Sequence, residues 1–261
     1  MIRKVKNSIG MDWQQDFNKQ KLFKLWEIIG KQSDFSWKIN GENNLKQILT
    51  KEDYKKLKSL NDKKTENKII REIISPYFKK HDIELKRKLV EWIIFDWGGI
   101  HKNIEGAMDW ADEIRIFNEK HIGEFIDIKN THRVSSWSKV FSFYDHENYA
   151  IYDSKVSIAI NIALLELDNI TLFYMPQPQS TQIIKLQREI RKRKKLKSKN
   201  IMWGYGEYME LLHASVEFGI IENVLEGETR IFANSKNIMN YFISKHNLKI
   251  NISNKTKYKD I

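Results

Sequence analysis

Apolar residues recur at three- and four-residue spacing through most of this chain, and strict alternation is scarce. Between Met11 and Lys31, the residues Trp13, Phe17, Leu22, Phe23, Leu25, Trp26 and Ile29 fall along one helical face, with Gly30 near its end. Thr50 followed by Lys51, Glu52 and Asp53 reads as a capped start for a helix through Leu57 and Leu60. Otherwise Ser33 to Lys64 is polar, with scattered Phe35, Trp37 and Ile39, and reads as a surface connection. Ile69 to Tyr77 predicts a helix that stops near Ser75 and Pro76, because the residue before a proline avoids the helical region. Leu85, Leu89, Val90, Ile93 and Ile94 make an amphipathic helix of Ile83 to Phe95, which Gly98 and Gly99 break. Two further helices are expected over Glu105 to Phe117 and Ile122 to Ile128.

The next stretch has two halves. Val140, Phe141 and Phe143 give a short helix opening at Ser138 its core face. Tyr149 to Tyr152 reads as a brief extended approach, and Asp153 then opens a second helix through Val156, Ile160, Ala163, Leu164 and Leu167. An Asp there accepts a hydrogen bond from first-turn N–H groups and faces the positive end of the helix dipole. A helix through Leu211, Leu212 and Val216 follows Trp203 to Tyr208. Only Thr171 to Met175 and Thr229 to Phe232 read as strands, and there is no internal repeat. The expected fold is therefore mainly α, with few short strands. It spans 1–261 as one helical domain, or as two lobes sharing a cleft (1–82 with the C-terminal part, and 83–168) that the segment 130–153 lines.

At 261 residues the chain can bury a sizeable core. Its 45 Lys and Arg against 34 Asp and Glu give a net charge of +11, which favours a polyanion, either nucleic acid or an anionic membrane. No apolar run reaches the length of a membrane span, and Met1 to Lys6 has no apolar signal core behind it. With no cysteine there is no disulfide framework, no thiolate zinc site and no iron–sulfur cluster. The seven histidines show no close metal spacing, and no metal or other cofactor is expected. These features read as a soluble cytoplasmic protein, nucleoid-associated if bacterial. Glycine-rich phosphate loops and nucleophile elbows are absent from the sequence.

The densest charge block is Lys185 to Lys199, with nine cations against the single acid Glu189. Self-repulsion on that scale is tolerated best opposite phosphates, so Lys185, Arg188, Arg191 and Arg193 are expected to contact the DNA backbone; a solvated face is the plainer alternative. Trp203, Tyr205 and Tyr208 beside the block could stack on an extruded base, or form the packing end of a core helix. Trp97 with Gly98 and Gly99 could line the same pocket, or simply end a helix.

Trp137-Ser138-Lys139-Val140 and Ile151-Tyr152-Asp153-Ser154-Lys155-Val156, in that order, resemble the catalytic segment of the helix-hairpin-helix DNA glycosylase superfamily, closest to its 8-oxoguanine glycosylase-like branches. There, a lysine turn closes a hairpin between two helices, and an Asp loop opens the next helix. The resemblance implies a two-lobed helical fold and removal of a damaged or modified base from DNA, in repair or in defence against foreign DNA. It implies Lys139 as amine nucleophile, with AP-lyase activity, and Asp153 as the carboxylate stabilising charge at the sugar. Around them Arg133, Ser136, Ser138 and Lys155 are expected to contact DNA, and Trp97, Trp203, Tyr205 and Tyr208 to form the base pocket. The segment from Asn130 to Trp137 lacks the hairpin glycines of the family. That favours a second class, a non-catalytic helical nucleic-acid-binding protein on the same scaffold. A third class, a helical toxin or effector binding another protein, leaves the basic block without an assigned partner.

Overall fold

A computed structural model describes residues 18–31, 35, 39–59, 63–100, 133–167, 171–178, 180–193 and 203–252. The described residues hold ten α-helices and one π-helical turn, packed round a single hydrophobic core. The expected helices over 105–117 and 122–128, and residues 194–199 of the basic block, lie outside the described residues.

Helix α1 (Lys19–Ile29) starts where Asn18 accepts a bond from the Lys21 amide, and buries Leu22, Leu25, Trp26 and Ile29. It ends at Gly30, whose φ of 95° suits only glycine. Short α2 (Glu42–Ile48) runs through the stretch expected to be a surface connection. Leu45, Ile48 and Leu49 are too sparse to show a helical period, yet all three are buried. Helix α3 (Lys51–Lys58) starts as expected, with the Asp53 amide bonded to the Thr50 hydroxyl.

Helix α4 (Lys63–Phe78) does not stop before Pro76 but carries it in its last turn. An interior proline costs about 3 kcal/mol. Burying Tyr77 and Phe78 each returns about 1.5–3 kcal/mol, so the apolar face carries the helix through. Helix α5 (Ile83–Glu91), capped by Asp82, continues into a π-helical turn (Trp92–Trp97) that closes with a Gly98 amide bond to the Ile93 carbonyl. Such widened turns recur at functional sites.

Helix α6 (Val134–Tyr144) leads through a turn and an extended approach to α7 (Ser154–Glu166). Every residue of α7 from Val156 to Leu164 is buried. Helices α1, α8 (Thr181–Arg193) and α10 (Val224–Lys245) pack against it, and α9 (Tyr205–Glu217) packs on α10. Helix α10 runs parallel to α7: Glu228 meets Ile151 at one end, and Lys245 pairs with Glu166 at the other.

Neither expected strand forms a sheet. Within 171–175 one parallel bridge joins Phe173 to Trp203, and the Asn161 side chain stands in for a second strand: it donates to the Phe173 carbonyl at 2.8 Å and accepts from the Phe173 amide at 2.7 Å. Thr229 to Phe232 lies inside α10, because burial continues helically through Ile231, Ile238, Met239 and Phe242, and the Thr229 hydroxyl bonds the Leu225 carbonyl one turn back. Among the described residues no helix is long and apolar enough to cross a membrane.

Candidate active site

Helix α6 begins four residues earlier than the sequence pattern suggests, directly after Arg133, which takes a left-handed φ of 57°. Val134 to Trp137 is therefore helix rather than hairpin turn, and Lys139 lies in the second turn of α6, not at its start. The serines explain the difference. Ser135, Ser136 and Ser138 read as turn residues, but Ser136 and Ser138 are buried and interior to the helix.

The Lys139 side chain is enclosed, with 6% of the residue exposed. Its ammonium donates to the Ser135 carbonyl at 2.7 Å, one turn back. The stem runs against Gly98, where a Cβ would stand 3.0 Å from Lys139 Cδ and 2.7 Å from the Ile93 carbonyl oxygen. Only glycine lets the end of the π-helical turn approach the lysine so closely. Burial pushes the Lys139 amine below its ordinary value; the Asp153 carboxylate is the strongest charge opposing that shift, with Glu228 also opposing and Lys155 reinforcing it.

Asp153 caps α7. Its Oδ1 accepts from the amides of Lys155 at 2.8 Å and Val156 at 3.0 Å, and among the described residues Oδ2 accepts no bond. The two catalytic candidates are joined through their chain neighbours. The Tyr152 amide donates to the Ser138 hydroxyl at 2.9 Å, and that hydroxyl donates back to the Tyr152 carbonyl at 3.2 Å. So Lys139 and Asp153, fourteen positions apart, lie on segments tied by the Ser138–Tyr152 bonds, with the Lys139 ammonium itself bonded to Ser135 and not to Asp153.

A buried ion pair adjoins them that the sequence reading missed. Arg71 on α4 and Glu228 on α10 meet at 2.6 Å, with 0% and 1% of their side chains exposed. Each interrupts an apolar helix face, Arg71 between Ile70 and Ile73 and Glu228 between Val224 and Ile231. That interruption was the available signal. Glu228 Oε2 also accepts the Ile151 amide at 2.7 Å, and Arg71 Nε donates to the Ser142 hydroxyl at 2.8 Å.

The other expected site residues divide. Ser136 and Ser138 are buried, so neither faces a DNA backbone here, and Ser138 is committed to Tyr152. Arg133 is half-buried at the head of α6. Trp97, Trp203, Tyr205 and Tyr208 do not line an open pocket but are packed into the core. Trp97 sets its ring edge-on to Phe143 with centroids 4.8 Å apart. The other three pack with Tyr152 and Phe173: Tyr208 stands 5.0 Å from Tyr152, and Trp203 5.2 Å from Phe173. For Tyr205 and Tyr208 the packing end of a core helix is thus what the structure shows. Burial pushes the Tyr152, Tyr205 and Tyr208 hydroxyls well above their usual range; all three stay protonated, and the Tyr205 hydroxyl donates to the Ala150 carbonyl.

Lys185, Arg188, Arg191 and Arg193 are exposed on α8. Lys185, Arg188 and Glu189, with Leu248, Lys249 and Ile250, line a groove of about 330 Å³. It lies beside the C-terminal end of α10, where the Arg193 guanidinium also covers the Phe242 ring. Helix α7 has thirteen residues and is about 20 Å long, so the basic face and the Lys139–Asp153 pair sit towards opposite ends of it. Among the described residues no group of three His, Asp or Glu is placed to hold a metal ion.

Comparison with family models, curated proteins and solved structures finds no match to this chain.

Proposed function

We propose that the chain is a DNA glycosylase that removes a damaged or modified base, with Lys139 as the amine and Asp153 as the carboxylate at the sugar. The observation that carries this reading is the enclosed Lys139 amine on the helix whose Ser138 hydroxyl bonds Tyr152, the residue before the helix-capping Asp153. An amine whose proton affinity is lowered by burial is a nucleophile nearer neutral pH than an exposed lysine. Asp153 keeps one carboxylate oxygen on the helix amides, leaving the other to face positive charge as the glycosidic bond breaks. Attack by the neutral Lys139 amine on the sugar C1′ would form a C–N bond as the base leaves with the glycosidic electron pair and one amine proton. Opening of the C1′–O4′ bond, with the second amine proton passing to O4′, would then give a Schiff base, which a hydride donor reduces to a stable adduct.

One observation favours the second reading, a non-catalytic nucleic-acid-binding protein. The aromatic residues expected to hold an extruded base are packed against one another.

The test is a panel of damaged and modified duplexes, with borohydride added to trap a lysine–DNA adduct. Asp153→Asn keeps a capping oxygen, so stability should fall by about 1 kcal/mol or less. Base release should fall by roughly two orders of magnitude or more. Lys139→Gln should abolish trapping. If the parent protein neither releases a base nor forms an adduct on any duplex, the binding reading takes its place.

A further inference from the structure

We propose that Glu228, neutralised by Arg71, is a positioning residue that fixes the approach to Asp153 by holding the Ile151 amide. The proposal rests on the glycosylase reading for its catalytic consequence, though not for the holding itself.

Three segments converge on this carboxylate of α10. Oε1 takes the Arg71 guanidinium at 2.6 Å, and Oε2 takes the Ile151 amide at 2.7 Å and the Ser142 hydroxyl at 3.4 Å. Arg71 further donates to the Asn67 carbonyl at 3.1 Å and lies over the Phe143 ring. A fully buried ion pair seldom stabilises a fold more than apolar residues of the same volume would. What this pair supplies and an apolar pair would not is an acceptor for a buried loop amide, which would otherwise be left without a bond. The amide it takes is two residues ahead of Asp153. The next residue, Tyr152, is bonded through both its amide and its carbonyl to Ser138, the neighbour of Lys139. The three residues from Ile151 to Asp153 are thus held from α10 on one side and from α6 on the other. Ser142, which Arg71 and Glu228 share, lies one turn beyond Lys139 on α6. One ionic centre therefore sets both halves of the candidate pair relative to each other. Displacing a reacting group by about 1 Å can cost on the order of 100-fold in rate.

The test compares two double variants. Arg71→Met with Glu228→Met removes both charges and the acceptor. Arg71→Met with Glu228→Gln removes both charges but keeps an acceptor oxygen for Ile151. Neither leaves an unpaired buried charge, so both are expected to fold. The two readouts are hydrogen exchange at the amides of Ile151 and Tyr152, and base release split into kcat and KM. The expected result is at least tenfold faster exchange and roughly 100-fold lower kcat with unchanged KM in the Met/Met variant. The Met/Gln variant should recover most of both. A purely structural pair would lower the two variants together, in step with their melting temperatures, and that result overturns the proposal. So does exchange that stays at the parent rate in the Met/Met variant. Should Met/Met fail to fold, Arg71→Met with Glu228→Leu takes its place, and there Ile151 exchange at the parent rate with unchanged kcat overturns the proposal. A parent protein inert on every duplex, with exchange still accelerated in Met/Met and restored in Met/Gln, overturns the glycosylase reading and leaves the holding role standing.

Discussion

At the N-terminal end of α7, two cations and two anions (Arg71, Lys139, Asp153 and Glu228) stand within one packed region, three of the four buried. Near its C-terminal end, Lys185, Arg188, Arg191, Arg193 and Lys249 stand in water, with Glu166 and Glu189 as the nearby acids. At the first end charge is balanced and each group is aimed by a short bond; at the second, charge is in excess and the cations are exposed, Arg193 lying over the Phe242 ring. A unit pair 4 Å apart interacts by about 1 kcal/mol in bulk water and about 4 kcal/mol at the effective dielectric of a protein. Salt screens exposed charges over about 10 Å at 0.1 M and reaches buried ones far less. The buried end keeps geometry; on the function proposed above, the exposed end would gather a polyanion.

The largest expected effect separates the two ends through stability. Glu228→Ala leaves the Arg71 guanidinium buried and uncompensated, and should cost about 3–5 kcal/mol in urea unfolding, almost independent of salt. Arg188→Ala should change stability by no more than about 0.5 kcal/mol. A Glu228→Ala loss under about 1 kcal/mol would erase the contrast. The next effect is on binding. Replacing Lys185, Arg188, Arg191 and Arg193 by Gln should weaken affinity for all duplexes alike. The slope of log affinity against log salt should also become shallower, by roughly 0.9 for each phosphate no longer neutralised. Unchanged affinity and slope would make the α8 face merely solvated. The smallest effect concerns Lys139, whose amine is depressed below 10.5 in the folded protein. The folded state then holds fewer protons than the unfolded one between the two values, so the cost of the buried charge is full below the folded value and gone above 10.5. Lys139→Met should accordingly raise stability at pH 7, by a margin that shrinks as the pH climbs towards 10.5. A margin constant with pH would show that burial does not set this amine apart.

Much of the helical scaffold could be read from the sequence because its apolar faces are complete. Leu22, Leu25, Trp26 and Ile29 announce α1, and Asp153 announces the start of α7. What escaped has specific causes. In α6 the buried face is partly serine, so periodicity counted from Val140 missed its first four residues. Helix α10 carries Thr229 and Ile231, β-branched residues that read as strand until burial along 22 residues is known. The aromatic residues near Trp203 were consistent with a pocket or with packing, and composition does not distinguish the two. That Lys139 and Asp153 lie on neighbouring segments was implied only by the resemblance, since the two short motifs do not themselves show how the chain folds between them. The charge pair beside them was not legible, because Arg71 and Glu228 lie 157 positions apart and nothing in local spacing links them.

The encasement of α7 has a consequence for how the chain comes off the ribosome. Nine consecutive residues, Val156 to Leu164, have no solvent-facing side, and part of their covering is α10, which is complete only at Lys245. At about 5–20 residues per second, α7 would wait roughly 4 to 16 s for that partner after its own synthesis. Through that interval α1, made earlier, and α8 can cover part of α7, but the face that α10 buries stays open. A fragment ending before Val224 would never leave that condition, so no fragment that lacks α10 buries the whole of α7.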